Sequence, residues 1–112
     1  MRFAIPISDG KLCMHFGHCE QFALVDASPG DAGSPTTRLV SAPPHEPGLL
    51  PRWLQGQGVD VVIAGGMGHR AQQLFAANGI RVVAGAPSMS AEALVAAYLD
   101  GSLQTGANPC DH

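Results

Sequence analysis

Hydrophobic positions along the chain switch between a short period and a helical one. Arg2 to Ser8 is a short apolar run, partly β-branched, that stops at the turn signal Asp9-Gly10. Pro6 interrupts it and predicts a bulge or an irregular strand end. Phe22 to Ala27 and Thr36 to Ala42 predict two further strands, hairpin-paired across a segment that holds two Pro and two Gly. After a Pro-rich crossing, Leu49, Leu50, Trp53 and Leu54 recur at helical spacing, and Pro51 fits there only in the first turn. Val59 to Ala64 is a nearly continuous apolar run, the pattern of a strand covered on both faces. A helix over His69 to Ala77 follows, with Leu74 and Phe75 inward and Asn78-Gly79 as its stop. Ile80 to Ala84 predicts another strand. Ser90 then caps a helix whose Leu94, Val95, Tyr98 and Leu99 form a buried stripe and which ends at Gly101. Residues 102–112 have no apolar period.

The order β-β-β-α-β-α-β-α predicts an α/β fold with a mixed five-stranded sheet flanked by helices. Right-handed crossovers make its later strands parallel, and the early hairpin adds antiparallel strands at one edge. In such sheets ligands bind beyond the carboxyl ends of the parallel strands. Three loops should leave those ends: residues 9–21, Gly65 to Gly68, and Gly85 to Met89.

A chain of 112 residues suits one domain, here 1–101, followed by a tail at 102–112. A net charge of −3 with only six Lys plus Arg argues against a nucleic-acid binder. No apolar run is long enough to span a bilayer, and the N-terminus lacks the pattern of a signal peptide. The expectation is a cytoplasmic protein, a monomer or weak homo-oligomer. In a reducing compartment its three cysteines are not expected to form structural disulfides.

Candidate chemistry concentrates in three places. Cys13, His15, His18 and Cys19 fall within seven residues, and Cys110 and His112 close the chain. Thiolate and neutral imidazole suit iron, copper and zinc. The plain alternative is a set of small buried hydrophobes and solvated imidazoles. The tract lacks the paired C-x-x-C knuckles of structural zinc. A shared site fits better, with the tract and the tail supplying ligands to a metal–sulfide cluster whose sulfurs accept hydrogen bonds. Gly65, Gly66, Met67 and Gly68 join a strand to a helix start, where small residues permit close approach and free N–H groups favour anions. His69 and Arg70 add donors. No Lys-Ser/Thr pair makes this a P-loop, and a turn needing glycine for its backbone is the plain alternative. Asp9, Asp26 and Asp60 form no acidic centre in the sequence, because Asp60 opens its strand. Cys19 with His69 lacks a third catalytic group.

The stretches IPISDGKLCMHFGHCEQFALVD and HEPGLLPRWLQGQGVDVVIAGGMGHRAQQLFAANGIRVVAG resemble the dinitrogenase iron–molybdenum cofactor biosynthesis family, which includes NifX- and NifY-like carriers and the C-terminal part of NifB-like proteins. The specific points are His15-Phe16-Gly17, the loop at 65–68 and Gly79-Ile80. The resemblance implies an RNase H-like fold. It also implies non-catalytic binding of an iron–sulfur or molybdenum-containing cluster, or its precursor, with cluster donor and acceptor proteins as partners. His69 stands where many relatives carry proline, as an added ligand or a polar rim. Two rival functions use the same residues: a mononuclear zinc or copper binding or sensing module, and an enzyme for a small anionic substrate at the glycine loop.

Overall fold

The computed structural model describes residues 1–8, 11–12, 21–27, 36–41 and 49–103. Four strands come first: β1 (Arg2–Ser8), β2 (Lys11–Leu12), β3 (Gln21–Asp26) and β4 (Thr36–Ser41). Then α1 (Leu49–Gly56), β5 (Val61–Ile63), α2 (His69–Ala77), β6 (Arg81–Val83) and α3 (Ala91–Asp100) alternate. The sheet runs β4-β3-β1-β5-β6, with β2 paired to β1 off this path. β4, β3 and β1 pair antiparallel, whereas β1, β5 and β6 pair parallel.

The mixed α/β sheet expected from the sequence is present, with two corrections. Lys11–Leu12, expected to lie in a loop, folds back on Ser8 and Ile7 as a short antiparallel strand. The element order therefore gains a strand and becomes β-β-β-β-α-β-α-β-α. Pro6 brings no bulge, since β1 pairs with β3 without a break from Arg2↔Asp26 to Ile7↔Gln21. On its other side β1 meets β5 through Phe3 and Ala4, and β2 through Ile7 and Ser8. Pro6 falls between these contacts, where a missing N–H breaks no ladder.

Alternation along the strands builds a core on each face. Phe3, Ile5, Ala23, Val25, Val61 and Ile63 point to the face that α3 covers through Leu94 and Val95. Ala4, Phe22, Leu24 and Val62 point to the other, covered by Leu54 of α1 and Phe75 of α2. Burying each such large apolar side chain contributes about 1.5–3 kcal/mol. Trp53 joins this second layer, its ring 5.8 Å from that of Phe22, as its helical spacing suggested. The helix ends follow their sequence signals. Ser90 Oγ accepts the Ala93 N–H at 3.3 Å, and Gly101 closes α3 at φ 81°. Gly79, at φ 76°, follows the C-cap Asn78, whose side chain donates to the Leu74 carbonyl at 2.8 Å.

Candidate functional site

Three segments leave the carboxyl ends of the parallel strands, and backbone hydrogen bonds hold them side by side. After β5, Ala64 donates to the Val83 carbonyl at 2.8 Å and its own carbonyl accepts from Ala86 at 3.1 Å. Gly85 donates to the Gly65 carbonyl at 2.7 Å. Gly85 has φ 81°, a left-handed conformation that glycine adopts without the steric cost of a Cβ. The third segment joins through β2: Leu12 donates its N–H to the Met89 carbonyl at 3.0 Å, and Ser88 Oγ donates to the Leu12 carbonyl at 3.5 Å.

The glycine loop has a specific build. Gly65, Gly66 and Met67 are buried, and Gly68 is partly so. The Met67 side chain lies in the second core layer while its carbonyl accepts from Gln72 Nε2 at 2.9 Å. Met67 thus anchors the loop to the fold. Gly68 is the N-cap of α2, with φ −63° and ψ 154°, and no side chain among the described residues caps the helix start. A Cβ at Gly68 would meet nothing within 4 Å. Gly65, Gly66 and Gly68 are absent from the glycines with positive φ. The need for a left-handed glycine therefore does not explain this triplet. Gly65 and Gly66 are buried, so tight packing of their backbone remains, and Gly68 leaves open space at the helix start. His69 and Arg70 are exposed in the first turn, which holds no acidic residue. A helix start with this charge balance favours an anion. His69 Nε2 lies 3.1 Å from Gln73 Nε2, one turn along the same helix.

Cys13, His15, His18, Cys19, Cys110 and His112 lie outside the described residues, as do His45, Met14 and Asp9. Among the described residues, no three His, Cys, Asp or Glu side chains come together as a metal-ion site. Asp26 and Asp60 sit at the amino ends of the parallel strands, where both bond Arg2. They are thus at the end of the sheet away from the glycine loop. No described helix is long and apolar enough to cross a membrane.

Sequence reasoning assigned no role to Gly85 or to the Leu12–Met89 bond. Gly85 carried a weak signal, a glycine closing an apolar strand run. The Leu12–Met89 bond carried none, since it joins main-chain atoms far apart in sequence.

Comparison with known proteins places this geometry among relatives. Residues 1–101 match the family described as dinitrogenase iron-molybdenum cofactor. The uncharacterized protein MJ0580 of Methanocaldococcus jannaschii is 27% identical over 107 residues, 93% of this chain and 90% of that protein. The crystal structure of PH0822 superposes with a TM-score of 0.83 at 31% identity, covering 94% of each chain. The apo form of the orange protein from Desulfovibrio gigas superposes with a TM-score of 0.74 at 25% identity, covering 96% of this chain and 94% of that one.

Proposed function

The chain belongs to the dinitrogenase iron-molybdenum cofactor family, and from that premise we propose that it is a small non-catalytic carrier of an iron–sulfur or molybdenum-containing cluster, or of its precursor. The RNase H-like label for the fold is part of the same reading. The cluster is cargo, accepted from a donor protein and passed to an acceptor. Cys13, His15, His18 and Cys19 are the proposed ligands, with Cys110 and His112 closing over them. Backbone N–H groups of the loop at 65–68, with His69 and Arg70, would meet its anionic sulfurs. Thiols kept reduced suit a cytoplasmic carrier.

One observation supports this reading most. Leu12, the residue directly before the Cys/His tract, is bonded to Met89 in the segment after β6, and that segment is bonded through Gly85 to Gly65. Leu12 therefore lies at the same end of the sheet as the glycine loop. Hydrogen bonds to a charged acceptor are worth about 1.5–3 kcal/mol each. A few loop amides could thus contribute as much as a ligand does to retaining anionic cargo.

The test is anaerobic reconstitution with iron and sulfide, followed by visible absorption and metal and sulfide analysis. The parent protein should become coloured and hold sulfide with metal. Changing Cys13→Ser together with Cys19→Ser should remove most of both at an unchanged melting temperature. A colourless protein that takes up zinc alone would support the mononuclear reading. Full metal and sulfide in the double variant would remove the tract from the ligand set.

A further inference from the structure

The two edges of the sheet are built differently. β6, at one edge, has three residues, and short edge strands offer little to an added strand. β4, at the other, has six residues, of which five are exposed. Its inner side is paired to β3 without a break, from Gln21↔Ser41 to Asp26↔Thr36. Its outer side has no partner strand among the described residues. On the α3 face, Ala23 opposes Leu39. α3 packs on Ala23, which is buried, whereas Leu39 remains 57% exposed. A groove of about 400 Å³ opens there between β4 and the start of α3, with Ile7, Ala23, Leu39 and Ala91 among its apolar lining and Gln21, Thr37 and Glu92 among its polar one. A backbone edge without a partner strand among the described residues, beside an exposed leucine, is a template for another strand.

We propose that β4 pairs antiparallel with β4 of a second copy of this chain, about a two-fold axis at Leu39. Opposed residues in an antiparallel pair share a face of the sheet. A two-fold axis perpendicular to the sheet keeps each face with its own kind, so it must pass through an opposed pair of identical residues. An axis at Arg38 sets two guanidinium groups directly opposite, an arrangement that destabilises a pair. An axis at Leu39 sets the two exposed leucines against each other, Thr37 against Ser41, and Arg38 against Val40. It also leaves each Arg38 on the side of its own Asp26, whose carboxylate its charge favours. The two grooves then share an apolar floor through the Leu39 pair. No residue of β4 belongs to the proposed cluster site, so the inference stands apart from the cargo reading.

An interface made of one short strand pair is small, so association should be weak and visible only at high concentration. Sedimentation velocity on the full chain, from about 10 µM to about 1 mM, covers the range of such interfaces. The parent should shift from monomer towards dimer across it. Leu39→Lys should stay monomeric throughout at an unchanged melting temperature, since Leu39 is exposed in the monomer. Under mild oxidation Leu39→Cys should give a dimer linked through position 39, identified by peptide mass spectrometry, and Arg38→Cys should give no 38–38 link. A parent that is monomeric at the top of the range overturns the proposal. So does a dimer that persists in Leu39→Lys, which would use another surface, or a 38–38 link formed in preference to 39–39.

Discussion

Arg2 and Asp26 are opposed residues of β1 and β3, and the Arg2 Nε donates to Asp26 Oδ1 at 2.7 Å. The Arg2 main-chain N–H donates to Asp60 Oδ2 at 2.8 Å, and the Asp60 N–H donates to the Arg2 carbonyl at 2.8 Å. One residue thus ties β1, β3 and the entry to β5 at the end of the sheet away from the loops. Side chains fasten the fold at this end, whereas main-chain bonds hold the segments at the glycine-loop end.

This fastening has a pH signature. The hydrogen bond from Arg2 holds the Asp26 carboxyl below its ordinary value of 3.8. A carboxylate lowered on folding stabilises the fold above its ordinary pKa, and the contribution is lost as pH falls through the folded value. Asp100 acts in the same sense, because bonds from Ser102 lower it. Asp26→Asn should therefore melt slightly below the parent at neutral pH, and the gap should close on acidification below about pH 4. Both partners are well exposed, so added salt should narrow the gap too. Melting curves across pH and salt check this. A gap that widens in acid would show that Asp26 stabilises the fold by another route.

Gly85 should be more sensitive to substitution than Gly68. Its φ of 81° and its bond to the Gly65 carbonyl at 2.7 Å both hold it in the left-handed region. Gly85→Ala should cost about 1–2 kcal/mol, measured by urea unfolding. Gly68→Ala, at a normal φ with open space around the new Cβ, should cost far less. Equal losses at the two positions would mean that the backbone around Gly85 relaxes to accommodate the methyl group.

Periodicity made most of the fold legible. The α3 stripe, the buried β5 run and the caps at Ser90, Asn78 and Gly101 all follow from residues near each other in sequence. β2 was not legible, because two residues carry no period. Pro6 misled, because whether a missing N–H matters depends on which neighbours lie beside it. Thr36 to Ala42 announced a strand, but not that Leu39 on it would stay exposed. The glycine loop was legible as a backbone device. Its coupling to the stem of the Cys/His tract was not, because main-chain bonds such as Leu12 to Met89 leave no mark on side-chain choice.

Gly68 offers a sharper probe of the loop than Gly66. Gly66 is buried, so a larger residue there risks the fold itself. Gly68→Asp adds a carboxylate where the start of α2 has no side-chain cap and a Cβ meets nothing. As an N-cap it should raise stability by a few tenths to about 1 kcal/mol. The same carboxylate would compete with anionic sulfur for the first-turn N–H groups. The expected outcome is a higher melting temperature with lower cluster uptake, read by visible absorption after anaerobic reconstitution. Undiminished uptake in a stabilised variant would remove the start of α2 from the cluster site.

The tail supplies the last test. α3 runs back from the loop end, and its Tyr98 packs edge-on against Phe3 with ring centroids 5.3 Å apart, so the chain leaves α3 at the opposite end of the sheet. Ser102 and Leu103 still belong to the fold: their N–H groups bond the Ala97 carbonyl, and Leu103 packs on the α3-side core. Truncation should therefore follow Leu103, not Gly101. Cys110 lies seven positions after Leu103, a reach of up to about 24 Å. α3 has 10 residues and so spans about 15 Å. Cys110 and His112 can thus return to the loop end, with an ordering cost that new metal–ligand bonds must offset. Ending the chain at Leu103 should leave the melting temperature of the metal-free protein unchanged and speed the loss of a reconstituted cluster to a chelator. Removing Leu103 as well should lower the melting temperature, which separates damage to the fold from loss of ligands. Equal rates of cluster loss with and without residues 104–112 would exclude Cys110 and His112 as closing ligands.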